Sequence, residues 1–177
     1  MLDGLYAFRV FDKNLNPCIS ALQFDDLEIV QHFTNRPQQK GLSVQDVIKG
    51  RISTETAIRQ EFLRKGGYPA TKYCLYFAIG NHVLDYILSG FNNPAYIKIP
   101  LPYFADKPVS FLYGNASIAF FRNDHHETKR KVYLYDEMES VIEQYGLDVE
   151  YGNTKSYIEM QLWDPRVIDD YTRYLCY

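Results

Sequence analysis

At 177 residues, 46% of them hydrophobic, the chain is long enough to close one core and short for two; a single domain spanning residues 1–177 is expected. Its 19 Lys and Arg against 22 Asp and Glu give a formal charge of −3, which excludes a wholly basic surface built to grip long nucleic acid but leaves room for a local basic groove. No run reaches the roughly 18–20 apolar residues of a membrane span, Met1-Leu2-Asp3-Gly4 lacks a signal-peptide layout, and Cys18, Cys74 and Cys176 lie far apart without CxxC spacing, so a cytoplasmic chain with reduced thiols and no membrane contact is expected.

Leu5 to Phe11 is aromatic and β-branched and reads as a first strand, closed by Asp12-Lys13-Asn14. Residues 12 to 42 carry Asn-Pro and Arg-Pro steps and read as a long irregular segment suited to a binding loop. Two helices are predicted next. Ser43 caps the first, over 44–49 with Gly50 as its stop; Ser53 or Thr54 caps the second, which runs to Gly66-Gly67 and buries Ile58, Phe62 and Leu63 with Ala57 beside them. The nearly unbroken apolar run Tyr73 to Ile79 has the pattern of a central strand covered on both faces. Asn81 then caps a helix over 82–89, and 95–99 forms another strand.

Val109–Tyr113 and Ser117–Phe121 look like paired strands about a tight turn at 114–116, with a further strand over 131–135. Asp136 starts a helix, with Glu139 reaching back to it, that ends near Gly146. A late strand over 157–163 runs into Asp164-Pro165, the cap and first turn of a C-terminal helix. Strands outnumber helices without alternating with them, which predicts an α+β fold with a split, mostly antiparallel sheet and flanking helices.

Among the chemistry-bearing motifs, GxGxxG, P-loop, HExxH and GxSxG are all absent from the sequence. Asn123-Asp124-His125-His126-Glu127, followed by Lys129-Arg130-Lys131, is the densest ionisable cluster, and a solvated turn outweighs a metal site there because adjacent histidines on a strand point apart. With 16 Tyr and 11 Phe against one Trp, most rings suit half-buried strands and a few suit stacking on a flat ligand. Alternation in the late strand puts Tyr157, Glu159 and Gln161 on one face and Ile158, Met160 and Leu162 on the other. The polar face is either a functional ledge or the wet side of an edge strand.

Lys155-Ser156-Tyr157-Ile158-Glu159, with Val167-Ile168-Asp169-Asp170 after it, resembles the C-terminal segment of ADP-ribosyltransferases, especially the branch of toxins that target DNA. Leu5-Tyr6-Ala7-Phe8-Arg9 is similar to that fold's first strand, and Leu75-Tyr76-Phe77-Ala78 with Asn81 and Tyr86 to its second motif strand and following helix. The resemblance lies in element order over most of the chain. It implies an NAD-dependent transferase with NAD as substrate and Glu159 as the catalytic carboxylate. Tyr157 takes the place of a Gln or Glu two residues before it, and Ala7 that of a His. The dinucleotide would be held by Arg9, Arg36 or Arg51, with Tyr76 or Tyr86 against the nicotinamide. The acceptor would be a protein or nucleic acid, and an antitoxin protein a partner. Two other readings stand beside it: a noncatalytic module binding a protein or single-stranded nucleic acid, and a metal-dependent nuclease using Asp124, His125 and His126.

Overall fold

The computed structural model describes residues 2–23, 43–80, 83–91, 93–121, 123, 125–151 and 154–169. These run as β1 (Tyr6–Asp12), α1 (Val44–Arg64), β2 (Leu75–Ile79), α2 (Val83–Leu88), β3 (Pro94–Pro100), β4 (Val109–Leu112), α3 (Ala116–Phe121), α4 (Met138–Tyr145), β5 (Val149–Tyr151), β6 (Thr154–Ser156) and β7 (Ile158–Leu162), joined in part by short 3₁₀ turns. Five strands form an antiparallel sheet in the order β3-β1-β2-β7-β4, and β5 and β6 pair separately. The class is α+β, and the apolar run expected to be central is the middle strand β2.

Register divides the sheet into two faces. Ile79 pairs with Ala7 and Ile158, Phe77 with Met160, and Phe111 with Met160. These side chains make one core with Ile97 and Ile99 of β3, Leu101 and Phe104 beyond it, and Met138, Val141 and Ile142 of α4. On the other face Ile58 and Phe62 of α1 pack with Cys74, Leu112, Ala119, Val132 and Trp163, and Phe62 stacks on Trp163 with ring centroids 6.0 Å apart. Burial of apolar surface on both faces is what lets β7 be buried along its whole length.

The two helices expected over 44–49 and 54–64 are one. Ser43 caps it, its side chain accepting from the Asp46 N–H, but Gly50 lies inside the helix. Thr54 Oγ1 donates to the Gly50 carbonyl at 2.9 Å and Thr56 Oγ1 to the Ile52 carbonyl at 2.8 Å, so these hydroxyls fold back on the preceding turn instead of capping a new helix. A glycine inside a helix costs about 1 kcal/mol relative to Ala, which the buried stripe of this long helix outweighs. That stripe is Thr54, Glu55, Ile58 and Phe62; Leu63 and Ala57 face outward. Gly66, at φ +90°, ends the helix, and a Cβ on Gly67 would stand 2.3 Å from the Phe62 ring.

Segment 117–121 is helix, not strand. Asn115 Oδ1 accepts from the Ile118 N–H at 3.0 Å, which caps α3, and β4 finds its partner in β7 instead. Around 131–135 only an isolated bridge forms, Tyr133 exchanging both backbone hydrogen bonds with Phe111 at 2.9 Å. The acid reaching back before α4 is Glu137, whose Oε2 accepts from the Leu134 N–H at 2.7 Å, not Glu139, and Asp136 is no cap but part of a 3₁₀ turn over Tyr135–Glu137. After β7, Asp164 caps a 3₁₀ turn, Pro165–Ile168, its side chain accepting from the Arg166 N–H at 3.1 Å. Residues 24–42 of the expected binding loop, and the expected cap Asn81, lie outside the described residues.

If Gly50 is interior to one helix, Gly50→Ala stabilises the fold, because a Cβ there meets nothing within 4 Å. The expected gain is about 0.5–1 kcal/mol, read as a melting temperature higher by about 1–4 °C. A helix that stopped at this glycine would lose stability instead.

Candidate active site

The face covered by α1 carries the polar groups. Register sets Glu159 between Leu112 and Ala78, with Phe8 beyond Ala78, and in the next row sets Gln161 between Ser110 and Tyr76. The ledge expected from the alternation of β7 is therefore real, but it is neither wet nor on an edge strand: Glu159 is 4% exposed and Gln161 fully buried. Above it α1 presents Arg51 and Glu55, one turn apart and continuing the stripe of Ile58 and Phe62.

A cavity of about 150 Å³ opens here, with Arg9, Arg51, Glu55, Tyr76, Tyr157 and Glu159 in its wall. Of the residues singled out in the sequence, the structure brings together Arg9, Arg51, Tyr76, Tyr157 and Glu159. Tyr86 lies on α2, whose Ile87 reaches the cavity wall, but the Tyr86 side chain lies outside the described residues, as do Arg36, Asp124 and Cys176.

The two cavity arginines are used differently. Arg9 donates from Nε to the Pro17 carbonyl at 2.6 Å, from Nη1 to the Tyr76 carbonyl at 3.3 Å and from Nη2 to the Ile19 carbonyl at 3.2 Å. The β1–β2 ladder ends at the pair Phe8–Ala78, and the guanidinium takes up a carbonyl beyond that end while pinning the 17–19 turn as a cavity wall. Arg51 donates from Nε to Glu55 Oε1 at 3.2 Å, and its guanidinium carbon lies 3.7 Å from the centre of the Tyr76 ring. Among the described residues Nη1 and Nη2 of Arg51 have no hydrogen-bond partner, and its side chain, in the cavity wall, is 29% exposed. Burial opposes its charge, but Tyr76, Glu159 and Glu55 more than offset this and raise its pKa.

Glu159 is held from below by a directed chain. The Trp163 indole can only donate, and does so to Ser110 Oγ at 2.9 Å; the serine hydroxyl therefore turns its proton to Gln161 Oε1, also at 2.9 Å. That fixes the amide, whose Nε2 donates to Glu159 Oε1 at 3.2 Å. Burial is the largest influence on this carboxyl and pushes its pKa up to about 7, against the opposing pull of Arg51, the Ala116 backbone and Gln161. No ion pair joins Glu159 to Arg51, whose salt bridge goes to Glu55.

Glu55 is the residue the sequence reading missed. It is 1% exposed and accepts from the Cys74 N–H at 3.3 Å through Oε2 while Oε1 holds Arg51. The available signal was its position four residues after an arginine and three before Ile58, on the helix's apolar stripe. Cys74 and Tyr76 are pushed well up by burial, so neither the thiol nor the phenol ionises readily here. The Tyr76 hydroxyl is itself buried and has no regular hydrogen-bond partner, only a weak contact with the Cys74 thiol.

His126 lies away from this cavity, stacked on Tyr113 with Nδ1 2.8 Å from Thr128 Oγ1. Among the described residues no three His, Cys, Asp or Glu side chains gather to hold a metal, and no helix is long and apolar enough to cross a membrane. No protein-family model, curated protein or solved structure matches this chain.

Because the folded state holds its Glu159 proton up to about pH 7 and the unfolded chain releases it near 4.5, stability from this group is full below about pH 4.5 and is lost as pH rises through 7. The loss is on the order of 3 kcal/mol. Urea unfolding from pH 4 to 8 should show it as a falling difference between the parent and Glu159→Gln, which lacks the titration.

Proposed function

We propose that this chain is an NAD-cleaving enzyme of the ADP-ribosyltransferase kind, with Glu159 as its catalytic carboxylate and Arg51 as the group that takes the pyrophosphate. The observation that carries the reading is the convergence of Arg51, Tyr76, Tyr157 and Glu159 on one cavity, with the terminal nitrogens of Arg51 unspent. A planar guanidinium fork suits two phosphate oxygens, whereas Arg9 commits its nitrogens to backbone carbonyls and serves the wall. A space of about 150 Å³ is the size that admits one six-membered ring, so the reactive end of the dinucleotide enters and the remainder lies along the opening.

The chemistry asks for what Glu159 offers. Breaking the bond from ribose C1′ to the nicotinamide nitrogen sends the electron pair with the leaving ring and leaves positive charge on the sugar. An ionised carboxylate fixed beside it stabilises that charge, and the same carboxylate accepts a hydrogen bond from a ribose hydroxyl. A lone pair of the acceptor then bonds to C1′ and its proton departs to Glu159 or solvent. With Arg51 against one side of Tyr76, any nicotinamide contact with that ring uses its edge or its other face. The acceptor is a macromolecule on this reading, protein or nucleic acid, and the pairing with an antitoxin follows from the family resemblance alone.

NAD binding by calorimetry and nicotinamide release should be measured together. Glu159→Gln is expected to bind NAD within a few-fold of the parent while release falls about 10²–10³-fold. In the parent, release rises with pH through about 7, since only the ionised Glu159 acts and its pKa lies there. Absence of NAD binding at millimolar concentration would return the chain to the class of noncatalytic interaction modules.

A further inference from the structure

Two buried carboxylates, Glu55 and Glu159, stand near one guanidinium, and the guanidinium pairs with the one farther from the proposed chemistry. We propose that Glu55 is a positioning residue that holds Arg51 off Glu159, keeping the guanidinium fork open to an anionic ligand and Glu159 free of an ion pair.

The geometry supports this in three ways. Glu55 is itself fixed: it is buried and its Oε2 accepts from the Cys74 N–H, at the start of the middle strand, so it cannot follow Arg51 if the arginine moves. Its other oxygen takes Nε of Arg51 at 3.2 Å, the nitrogen nearest the chain, which leaves the two terminal nitrogens directed onward. The Tyr76 ring, 3.7 Å from the guanidinium carbon, fixes the plane of the group. One oxygen, one ring and the helix backbone thus determine where the fork points.

Without Glu55 the nearest counter-charge is Glu159. The charged and titratable groups around the cavity that holds that carboxyl are Arg51 and Glu55 from α1, Cys74 just ahead of β2 and Tyr76 within it, Arg9 and Asp12 from β1, and Tyr157 ahead of its own strand. Of these only Arg51 is a cation with unspent donors, since Arg9 is tied to three carbonyls. A freed Arg51 therefore closes on Glu159, and the ion pair so formed removes both groups from use. A Gln at 55 does not substitute, because Arg51 and the Cys74 N–H donate to different oxygens of Glu55, and an amide in the same place turns its NH2, itself a donor, toward one of them.

The kinetic consequence rests on the ADP-ribosyltransferase reading, but the structural one does not, and the test separates them. The Glu159 carboxyl is followed by carbon NMR across a pH titration in the full chain and in Glu55→Gln, without ligand. The proposal expects the midpoint to fall by about one unit or more in the variant, because an opposite charge has moved into contact. A folded variant with an unmoved midpoint overturns the proposal whether or not the protein cleaves NAD. If Glu55→Gln does not fold, Glu55→Asp, which keeps the charge and withdraws it by one methylene, is held to the same criterion. Where the parent does cleave NAD, KM in the variant is expected to rise roughly tenfold through loss of a charge-assisted contact. A purely structural Glu55 would lower the melting temperature, leave KM where it was and move the Glu159 midpoint down only by the minor amount that its own negative charge contributes, short of the unit expected from a contact with Arg51.

Discussion

One guanidinium between two buried carboxylates constrains much of this molecule. A buried charge is tolerated only when it is paired and hydrogen-bonded, and here the pairing requires a helix on the sheet's second face to deliver Arg51 and Glu55 as a unit. That demand explains the length of α1. Its C-terminal half is anchored by Ile58 and Phe62 against Trp163, and the same stripe carried two turns back passes through Glu55 and Arg51. A helix broken at Gly50 would leave Arg51 at a loose end, whereas the continuous one places it by packing several residues away.

The sheet supplies the other half of the arrangement. Ile158, Met160 and Leu162 lock β7 into the main core, so the alternate residues are forced onto the other face whatever their polarity. Two of those are Glu159 and Gln161, and their burial is tolerable because the neighbouring strand answers with Ser110 and the chain beyond β7 with Trp163. The direction of the resulting hydrogen bonds is set at its far end by an indole that has no acceptor. Glu159 thus receives a proton donor from beneath while its approach from the cavity stays clear, which is the difference between a buried structural carboxylate and one able to meet a ligand.

How much of this was legible in the sequence depended on whether the deciding contact was local. The alternation of β7 states its own faces, so Glu159 stood out on the polar one, and the apolar run of β2 marked a central strand, but Tyr76 within it was singled out only through a resemblance. Arg51 was found only through a resemblance, since the glycine before it and the hydroxyl residues after it imitate a helix stop and a new cap; Thr54 and Thr56 in fact return their hydroxyls to the helix. Glu55 was invisible because a Glu four residues after an Arg ordinarily marks a solvated helix face, and nothing in its neighbourhood says that a strand start 19 residues on needs an acceptor. Segment 117–121 misled for the same reason: Ser-Ile-Ala-Phe-Phe suits a strand, and that β4 takes β7 on one edge and only a bridge from Tyr133 on the other is a nonlocal fact.

The division of labour between the arginines follows from the same nonlocal accounting. Both are on the cavity, both are shielded, and residue type does not distinguish them. The difference is that β1 parts from β2 after Phe8, leaving the Tyr76 carbonyl in want of a donor near those of Pro17 and Ile19 in the following turn, and Arg9 is the side chain that reaches all three. An arginine that satisfies backbone acceptors holds its position firmly but has little left to give, so it shapes a wall. One held by a single nitrogen and an aromatic face is nearly as well fixed and retains its fork. The guanidinium whose fork stays uncommitted in this cavity is therefore the one the backbone did not require, Arg51.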